Sequence, residues 1–205
     1  LEWFVGLTKD ERDALVIDEK SIAKPVLRRA KVIEQFALLA DFGIVTVPED
    51  YVHTTRLALF AKLHREKFYY YSDAIIDMNF PNPTRILKSG DKLRVRAFKQ
   101  LVRGTTTSVE RMDFCHKQDR NVWVGAQGAS LVWEQKRDEF PKGYWYASFD
   151  ESDRLWEDAD GARGVPSVSA HHAGDFYFYL GYLEDAWHDS AFFCFCDASA
   201  DEADE

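Results

Sequence analysis

The chain is short of cysteine, of long apolar runs and, in its last quarter, of positive charge. Three cysteines among 205 residues cannot form the set of disulfides that stabilises small secreted proteins, and they fit a reducing compartment best. No apolar run reaches the roughly 18 residues that a membrane helix needs, so we expect a soluble protein without a membrane span. Residues 161–205 hold nine acidic side chains and one basic one, Arg163, which excludes a nucleic-acid-binding face there.

Positive charge collects instead in the middle of the chain. Residues 51–110 hold 11 basic and 5 acidic side chains, although the net charge of the whole protein is -9. Nucleic-acid recognition requires a clustered basic face, and this surplus is modest, so we expect no nucleic-acid partner. The acidic end at residues 198–205, ASADEADE, is typical of a disordered, solubilising tail.

Aromatic residues are abundant, at 15% of the chain, and they include six tryptophans and nine tyrosines. Phenylalanine and tryptophan suit a core, which a chain of this length can build as one domain. Tyrosine in such number is also typical of binding surfaces, because it gives a large, rigid contact area at small entropic cost.

The first part of the chain has helical patterns. Val26, Ala30, Ile33 and Ala37 recur at helical spacing before Gly43, which predicts a helix from about residue 22 to 42. Another helix is expected over residues 50–67, and a capping-box spacing at Thr8 predicts an earlier one. We therefore expect a mainly helical segment at residues 1–84.

The remainder changes from helices to strands. The patterns predict a strand at residues 93–102, a helix at 106–117, and a helix from Gly128 or Ser130 to Phe140. A strand follows at 144–149, and three short strands fit into residues 165–197. The predicted order is strand, helix, helix and then a run of short strands.

Residues 165–197 alternate between rigid apolar side chains and a polar set rich in Ser, His, Asp and Tyr. In a strand at 175–180, the two phenylalanines and Leu180 share one face, and Asp175, Tyr177 and Tyr179 share the other. An ordinary solvent face would carry Lys, Glu or Thr. This face is more typical of a binding surface.

The element order, with Trp145, Trp156 and Trp187 spaced through the second half and a last strand of Phe and Cys, resembles the C-type lectin fold over residues 85–197. Within that fold the chain is most similar to the variable proteins of diversity-generating retroelements. The resemblance implies an α+β protein: a C-type-lectin-like domain of short antiparallel strands and two helices, preceded by the N-terminal helical segment.

The resemblance also implies which residues bind. Adenine-specific mutagenesis in that family yields Asn, Asp, Ser, Tyr, His, Gly, Ala, Cys, Phe and others, and never Lys, Met, Gln, Glu or Trp. Glu184 and Trp187 are therefore expected to be fixed scaffold. The positions that fit the mutational set are the predicted ligand contacts: Ser167, Ser169, His171, His172, Asp175, Tyr177, Tyr179, Tyr182, Asp185, His188, Asp189 and Ser190.

The function so implied is that of a non-enzymatic, receptor-type protein without metal or cofactor. Its partner would be a macromolecule, most simply a protein, and one setting is the surface of a cell or virus. The acidic end of the chain favours a neutral or basic partner surface.

Two other functions stay open. Enzymes of the formylglycine-generating type share the fold and act through cysteines, and Cys194 and Cys196 with His171 or His172 could hold zinc. We expect these cysteines to be buried as small apolar groups instead. His188 stands where sugar-binding lectins have a calcium-ligating Asn, which argues against calcium. An acidic adaptor or immunity protein is the other alternative.

Overall fold

The computed structural model describes residues 35–199, except for positions 102 and 189. The predicted N-terminal helices before residue 35, the last six residues of the acidic tail and the predicted contact Asp189 lie outside the described residues. The described residues belong to one compact unit. None of their helices is long and apolar enough to cross a bilayer.

The described residues form a mixed α+β structure of nine strands and three α-helices. In chain order these are β1 (Phe36–Thr46), α1 (Arg56–His64), β2 (Phe68–Tyr71), β3 (Lys92–Gln100), α2 (Ser108–His116), β4 (Asn121–Val122), α3 (Gly125–Lys136), β5 (Tyr144–Ala147), β6 (Trp156–Glu157), β7 (Arg163–Ala170), β8 (Phe176–Tyr182) and β9 (Ala191–Asp197).

The nine described strands join in one sheet, in the order β1-β3-β9-β5-β7-β8-β2, with β4 attached to β9 and β6 to β7. Most neighbours are antiparallel. The two parallel pairs of the described sheet are β5 with β9 and β2 with β8. The last strand, β9, thus lies in the middle, between the early strand β3 and the strands β5, β7 and β8.

The alternation along β9 shows that the sheet has a core on each face. Phe193 and Phe195 belong to a large cluster with the buried side chains of α1 and α3. Phe192 and Cys194 belong to a second cluster, which includes Cys115 of α2. Because successive strand residues point to opposite faces, α1 and α3 cover one face and α2 covers part of the other.

The order predicted for the second half of the chain is confirmed. A strand, two helices and a run of short strands follow one another, except that the two-residue strand β4 lies between the helices. Helix α3 begins at Gly125, three residues before the earliest predicted start. Helix α2 begins with a capping box: Thr107 Oγ1 accepts the N–H of Glu110, and the Glu110 carboxylate accepts the N–H of Thr107. The predicted helix at residues 50–67 is present from His53, with a 3-10 turn at each end.

The helix predicted for residues 22–42 is wrong over its described end, where β1 begins at Phe36. Two bulges interrupt its pairing with β3, so buried residues fall at Phe36, Phe42 and Val45 instead of alternating regularly. Gly43 ends no helix. It lies in the second bulge with φ +68, and its N–H donates to Asp41 Oδ1 at 2.9 Å.

The described residues before position 85 add both edges of the sheet. Strand β1 forms one edge against β3, and β2 forms the other against β8. Helix α1 packs on the same core as α3. The sheet therefore continues across the predicted boundary between residues 84 and 85, and within 35–84 it contains strands as well as one helix.

Candidate functional site

Half of one sheet face has no helix over it in the described part of the chain. Helix α2 packs on the β1, β3 and β9 end, where Phe114 contacts the rings of Phe36, Phe98 and Phe192. At the other end of the same face, β5, β7 and β8 present Trp145, Tyr177 and Tyr179 outward. We call this end the open face.

The rings of the open face form a continuous row across the strands. Trp145 of β5 meets Tyr179 of β8 edge to face, with ring centroids 4.4 Å apart, and Tyr177 lies 5.7 Å from Trp145. Tyr69 of β2 extends the row, 5.2 Å from Tyr177, and 76% of its surface is exposed. Packed rings of this kind give a rigid contact surface.

Strand β7 runs beneath this row and supplies small side chains. In the register of the sheet, Ser169 lies between Trp145 and Tyr177, and Ser167 lies opposite Tyr179. Both serines are buried, Ser167 at 0% exposure and Ser169 at 2%. Because they leave room above the strand, rings from β5 and β8 meet over them. Burial raises the pKa of Tyr179 well above its usual range, although a hydrogen bond with Ser167 has the opposite, smaller effect.

A cleft of about 420 Å³ opens beside the aromatic row. Trp145 and Tyr179 form one side, and the loop between β8 and β9 forms the other. We call it the tryptophan cleft. It is lined by Gly143, Trp145, Tyr179, Gly181, Asp185, Ala186, Trp187, His188 and Ser190.

The loop that closes the cleft is fixed by Trp187. Its backbone pairs with Thr106 in both directions, at 2.9 and 2.8 Å, and its indole Nε1–H donates to Ser108 Oγ at 2.7 Å. The Ser108 hydroxyl in turn donates to the carbonyl of Leu183 at 2.6 Å. Trp187 is thus the buried scaffold residue that the sequence predicts, tying the loop to the start of α2.

Arg111 of α2 is the second anchor of this loop, and its side chain is fully buried. It donates to Thr106 Oγ1 and Ser190 Oγ, both at 2.9 Å, and to the carbonyl of His188 at 3.3 Å. The guanidinium also lies 5.4 Å from the ring of Trp187. No carboxylate of the described residues is paired with it, and burial lowers its pKa to about 10.

The structure brings most of the predicted contact residues to one side of the sheet. His171, His172 and Asp175 are exposed in the turn between β7 and β8, and the His171 ring lies 6.1 Å from that of Tyr177. Tyr182, Asp185 and His188 are exposed at or near the tryptophan cleft, while Tyr177 and Tyr179 are half-buried.

Three predicted contacts need correction. Ser167, Ser169 and Ser190 are buried, the last at 8% exposure, so their side chains support the surface from below. Alternation along the sequence could not reveal this, because the bulky neighbours that cover them come from other strands and from α2. Ser190 supports the cleft loop, since its hydroxyl joins Arg111 to the carbonyl of His188.

Sequence reasoning missed three participants. Trp145 was not among the predicted contacts, yet 37% of it is exposed and it is the central ring of the open face. Tyr69 was not among the predicted contacts either, because all of those lie between residues 167 and 190. Arg111 gave no signal at all, since one arginine in an amphipathic helix is ordinary.

The cysteines are buried, as predicted, and none of the three forms a disulfide. A hydrogen bond with the Cys115 thiol, together with burial, raises the pKa of Cys194. A hydrogen bond with Cys194, together with burial, likewise raises the pKa of Cys196. Thiols in this state are poor nucleophiles. Among the described residues no three His, Cys, Asp or Glu side chains are grouped to hold a metal ion.

No known protein family, curated protein or solved structure matches this chain.

Proposed function

We propose that this chain is a non-enzymatic ligand-binding protein that uses the open face and the tryptophan cleft as its binding surface, on a C-type-lectin-like scaffold. The observation that carries the proposal is the aromatic row of Tyr69, Tyr177, Tyr179 and Trp145, exposed at Tyr69 and Trp145 and half-buried at the other two, which lies on the half-face that no described helix covers. Aromatic side chains concentrated on one surface favour binding to another macromolecule.

The arrangement of the strands supports the lectin-like part of the proposal. Strand β3, helices α2 and α3, and strands β5, β7, β8 and β9 follow in the order that the resemblance implies. The last strand returns to pair with β3, so the two ends of residues 85–197 meet in the sheet. The loops and strands that carry the predicted contacts then lie together beyond β5.

The scaffold can hold its contact residues in place before a ligand arrives. The open face rests on a strand whose side chains are buried on both sides, β7, and the cleft loop is tied to α2 through Trp187 and Arg111. Side chains ordered in advance lose less entropy on binding. Tyrosine rings would supply contact area, and the exposed His and Asp side chains would supply hydrogen bonds.

We propose a protein as the ligand, and diversification by a retroelement as the origin of the surface. The accessible predicted positions, from His171 to His188, all belong to the mutational set. Of the two expected scaffold positions outside that set, Trp187 is buried, whereas Glu184 is exposed and paired with Arg163. A near-copy of the DNA for residues 160–197, differing at adenines and lying beside a reverse transcriptase gene, is the expected genomic finding. Its absence from the source genome would contradict this origin.

Binding itself can be tested with a phage-displayed library of random peptides, selected on the immobilised protein. We expect the selected peptides to lose at least tenfold in affinity for the Trp145→Ala and Tyr177→Ala variants, because central aromatic contacts dominate binding energy. Leu63→Ala, an exposed apolar position on α1, is the matched control and should bind normally. Peptides that bind all three variants equally would refute the open face as the binding surface.

A further inference from the structure

We infer that the tryptophan cleft binds an alkylammonium group, the side chain of a lysine on the protein partner. The inference rests on the proposed function and names the chemistry of one part of that surface. Three features of the cleft carry it: two rings that line it at a steep angle, one carboxylate in its lining, and small residues that leave the space open.

The rings have the geometry that attracts a cation. Trp145 and Tyr179 line the cleft with an interplanar angle of 79°, so the edge of one ring meets the face of the other and they form two walls of a corner. The faces of tryptophan and tyrosine carry partial negative charge and attract ammonium groups. Trp187 lines the cleft too, but the Arg111 guanidinium already lies over its ring. The available walls are therefore Trp145 and Tyr179.

Asp185 supplies the negative charge. Its Oδ2 accepts the N–H of Tyr182 at 3.2 Å, which holds the side chain in the turn. Among the described residues, its Oδ1 accepts no hydrogen bond. The carboxylate is close enough to Tyr179 to contribute to the rise in the pKa of that hydroxyl, after the larger effect of burial. Asp185 thus lies near the same corner as the two rings.

The charges around the cleft are of both signs. Asp185 lines it, and the buried Arg111 guanidinium lies over the Trp187 ring. The same guanidinium donates to Ser190 and His188. A ligand ammonium is therefore expected against Trp145, Tyr179 and Asp185, and not against Trp187.

Arg163, the one basic side chain of residues 161–205, is already paired with Glu184, at 2.7 Å. Arg137 and Lys142 line a different cavity, together with Phe140 and Phe176 of the helix-covered face. Of the described side chains that line the tryptophan cleft, Asp185 is the one that bears a carboxylate.

Small residues decide what size of group can enter. Gly143, Gly181 and Ala186 line the cleft, and a Cβ at Gly181 would come within 2.9 Å of the Trp187 ring. With about 420 Å³ available, the cleft has room for a trimethylated ammonium as well as a primary one. A trimethylated group is less hydrated, so it should bind the rings at least as well as lysine does.

The first test uses the unaltered protein and four short peptides that differ at one side chain: lysine, trimethyllysine, acetyllysine and norleucine. The last two keep the four-carbon chain of lysine and lack the positive charge. Binding is followed by NMR at the indole N–H of Trp145, assigned with the Trp145→Ala variant. We expect lysine and trimethyllysine to bind at least fivefold more tightly than the neutral pair. Equal binding of all four, or binding of none, would overturn the inference.

Two variants locate the effect. Trp145→Ala should weaken trimethyllysine binding about tenfold, and Asp185→Asn, which keeps an acceptor for Tyr182 N–H, about threefold. Asp175→Asn removes an exposed carboxylate in the turn between β7 and β8 and is the control for general electrostatic attraction. If Asp175→Asn weakens binding as much as Asp185→Asn does, the cleft is not the site of the cation.

The peptides selected for binding separate this inference from the proposed function. If lysine is enriched among the selected peptides, and replacing it by norleucine lowers their affinity, the result supports both the proposed function and the ammonium site. Selected peptides that depend on Trp145 yet tolerate the norleucine replacement refute the ammonium site and leave the binding face intact. If no selected peptide depends on Trp145 or Tyr177, the proposed function itself fails.

Discussion

Replacing Arg111 by methionine tests how the cleft loop is held. Methionine keeps much of the length and apolar volume of the side chain but removes the guanidinium that joins α2 to Thr106, Ser190 and His188. Two opposing effects decide the sign of the change. Burying the charge of Arg111 lowers the free energy of unfolding, and the hydrogen bonds of its guanidinium raise it. Arg111→Met removes the charge and the hydrogen bonds together, so the larger of the two effects decides whether the variant is more or less stable.

The structure allows the two effects to be compared. Lowering the pKa of Arg111 from its ordinary value of 12.5 to about 10 corresponds to roughly 3 kcal/mol against the charged form. Three charge-assisted hydrogen bonds contribute about 1.5 kcal/mol each at the low end of their range, and the rings of Trp187 and Phe192 add about 1 kcal/mol. The balance favours the arginine, and we expect Arg111→Met to destabilise the protein by roughly 2 to 3 kcal/mol.

Thermal unfolding measures this directly, because a loss of that size lowers the Tm of a domain of this length by about 5 to 10 °C. Hydrogen exchange should also accelerate at the amides of Asp185 and Trp187, which donate within the cleft loop and to Thr106. Arg154→Met, at an exposed arginine beside Asp153, is the control and should change stability by less than about 0.5 kcal/mol. A methionine variant as stable as the unaltered protein would show that the cost of burial dominates.

Three further predictions concern the packing that supports the site. Gly128→Ala should destabilise the protein by about 1 to 3 kcal/mol, because the added Cβ would lie 3.0 Å from the buried Phe195 ring. Alanine usually favours a helix more than glycine does, so a raised Tm would contradict this prediction. Burial opposes ionisation of Glu134, but Arg56 and His64 outweigh burial and lower the pKa of this carboxyl below its unfolded-state value. The ionised Glu134 therefore stabilises the fold above the unfolded-state pKa, and this stabilisation is lost as the pH falls through the folded-state pKa. Glu134→Gln should therefore flatten the acid side of the stability curve, and an unchanged acid unfolding midpoint would refute the role of this ion pair. Tyr177→Ala should leave Tm within a few degrees of the unaltered protein. Tyr179→Ala removes the ring packed on Trp145 and should lower the free energy of unfolding by about 2 kcal/mol. Equal effects of the two variants in thermal unfolding would show that both rings are equally part of the core.

Local patterns predicted the elements that have local causes. The alternation of Phe176, Tyr177, Phe178 and Tyr179 gave the correct faces of β8, because side chains in a strand point to opposite sides wherever the strand lies. The start of α2 was equally predictable, since its capping box lies within four consecutive residues.

The failure at β1 has the opposite cause. Helical spacing at residues 26–37 and a glycine at position 43 indicated a helix, but the pairing of β1 with β3, more than 45 residues away in sequence, fixes an edge strand. Two bulges remove the regular alternation that would have revealed it, and Gly43 serves the second bulge. Nothing within the segment itself distinguishes this outcome from a helix that ends at a glycine.

The sequence by itself therefore determined the composition of the open face, its tyrosine, histidine and aspartate side chains, and the strand on which most of them alternate. Only the tertiary structure decided which of those side chains are accessible, because Ser167 and Ser169 are covered by rings from β5 and β8. It also decided that Trp145 joins the surface and that Arg111 holds the cleft loop. These properties depend on contacts between residues distant in sequence, and such contacts form only when the sheet is assembled.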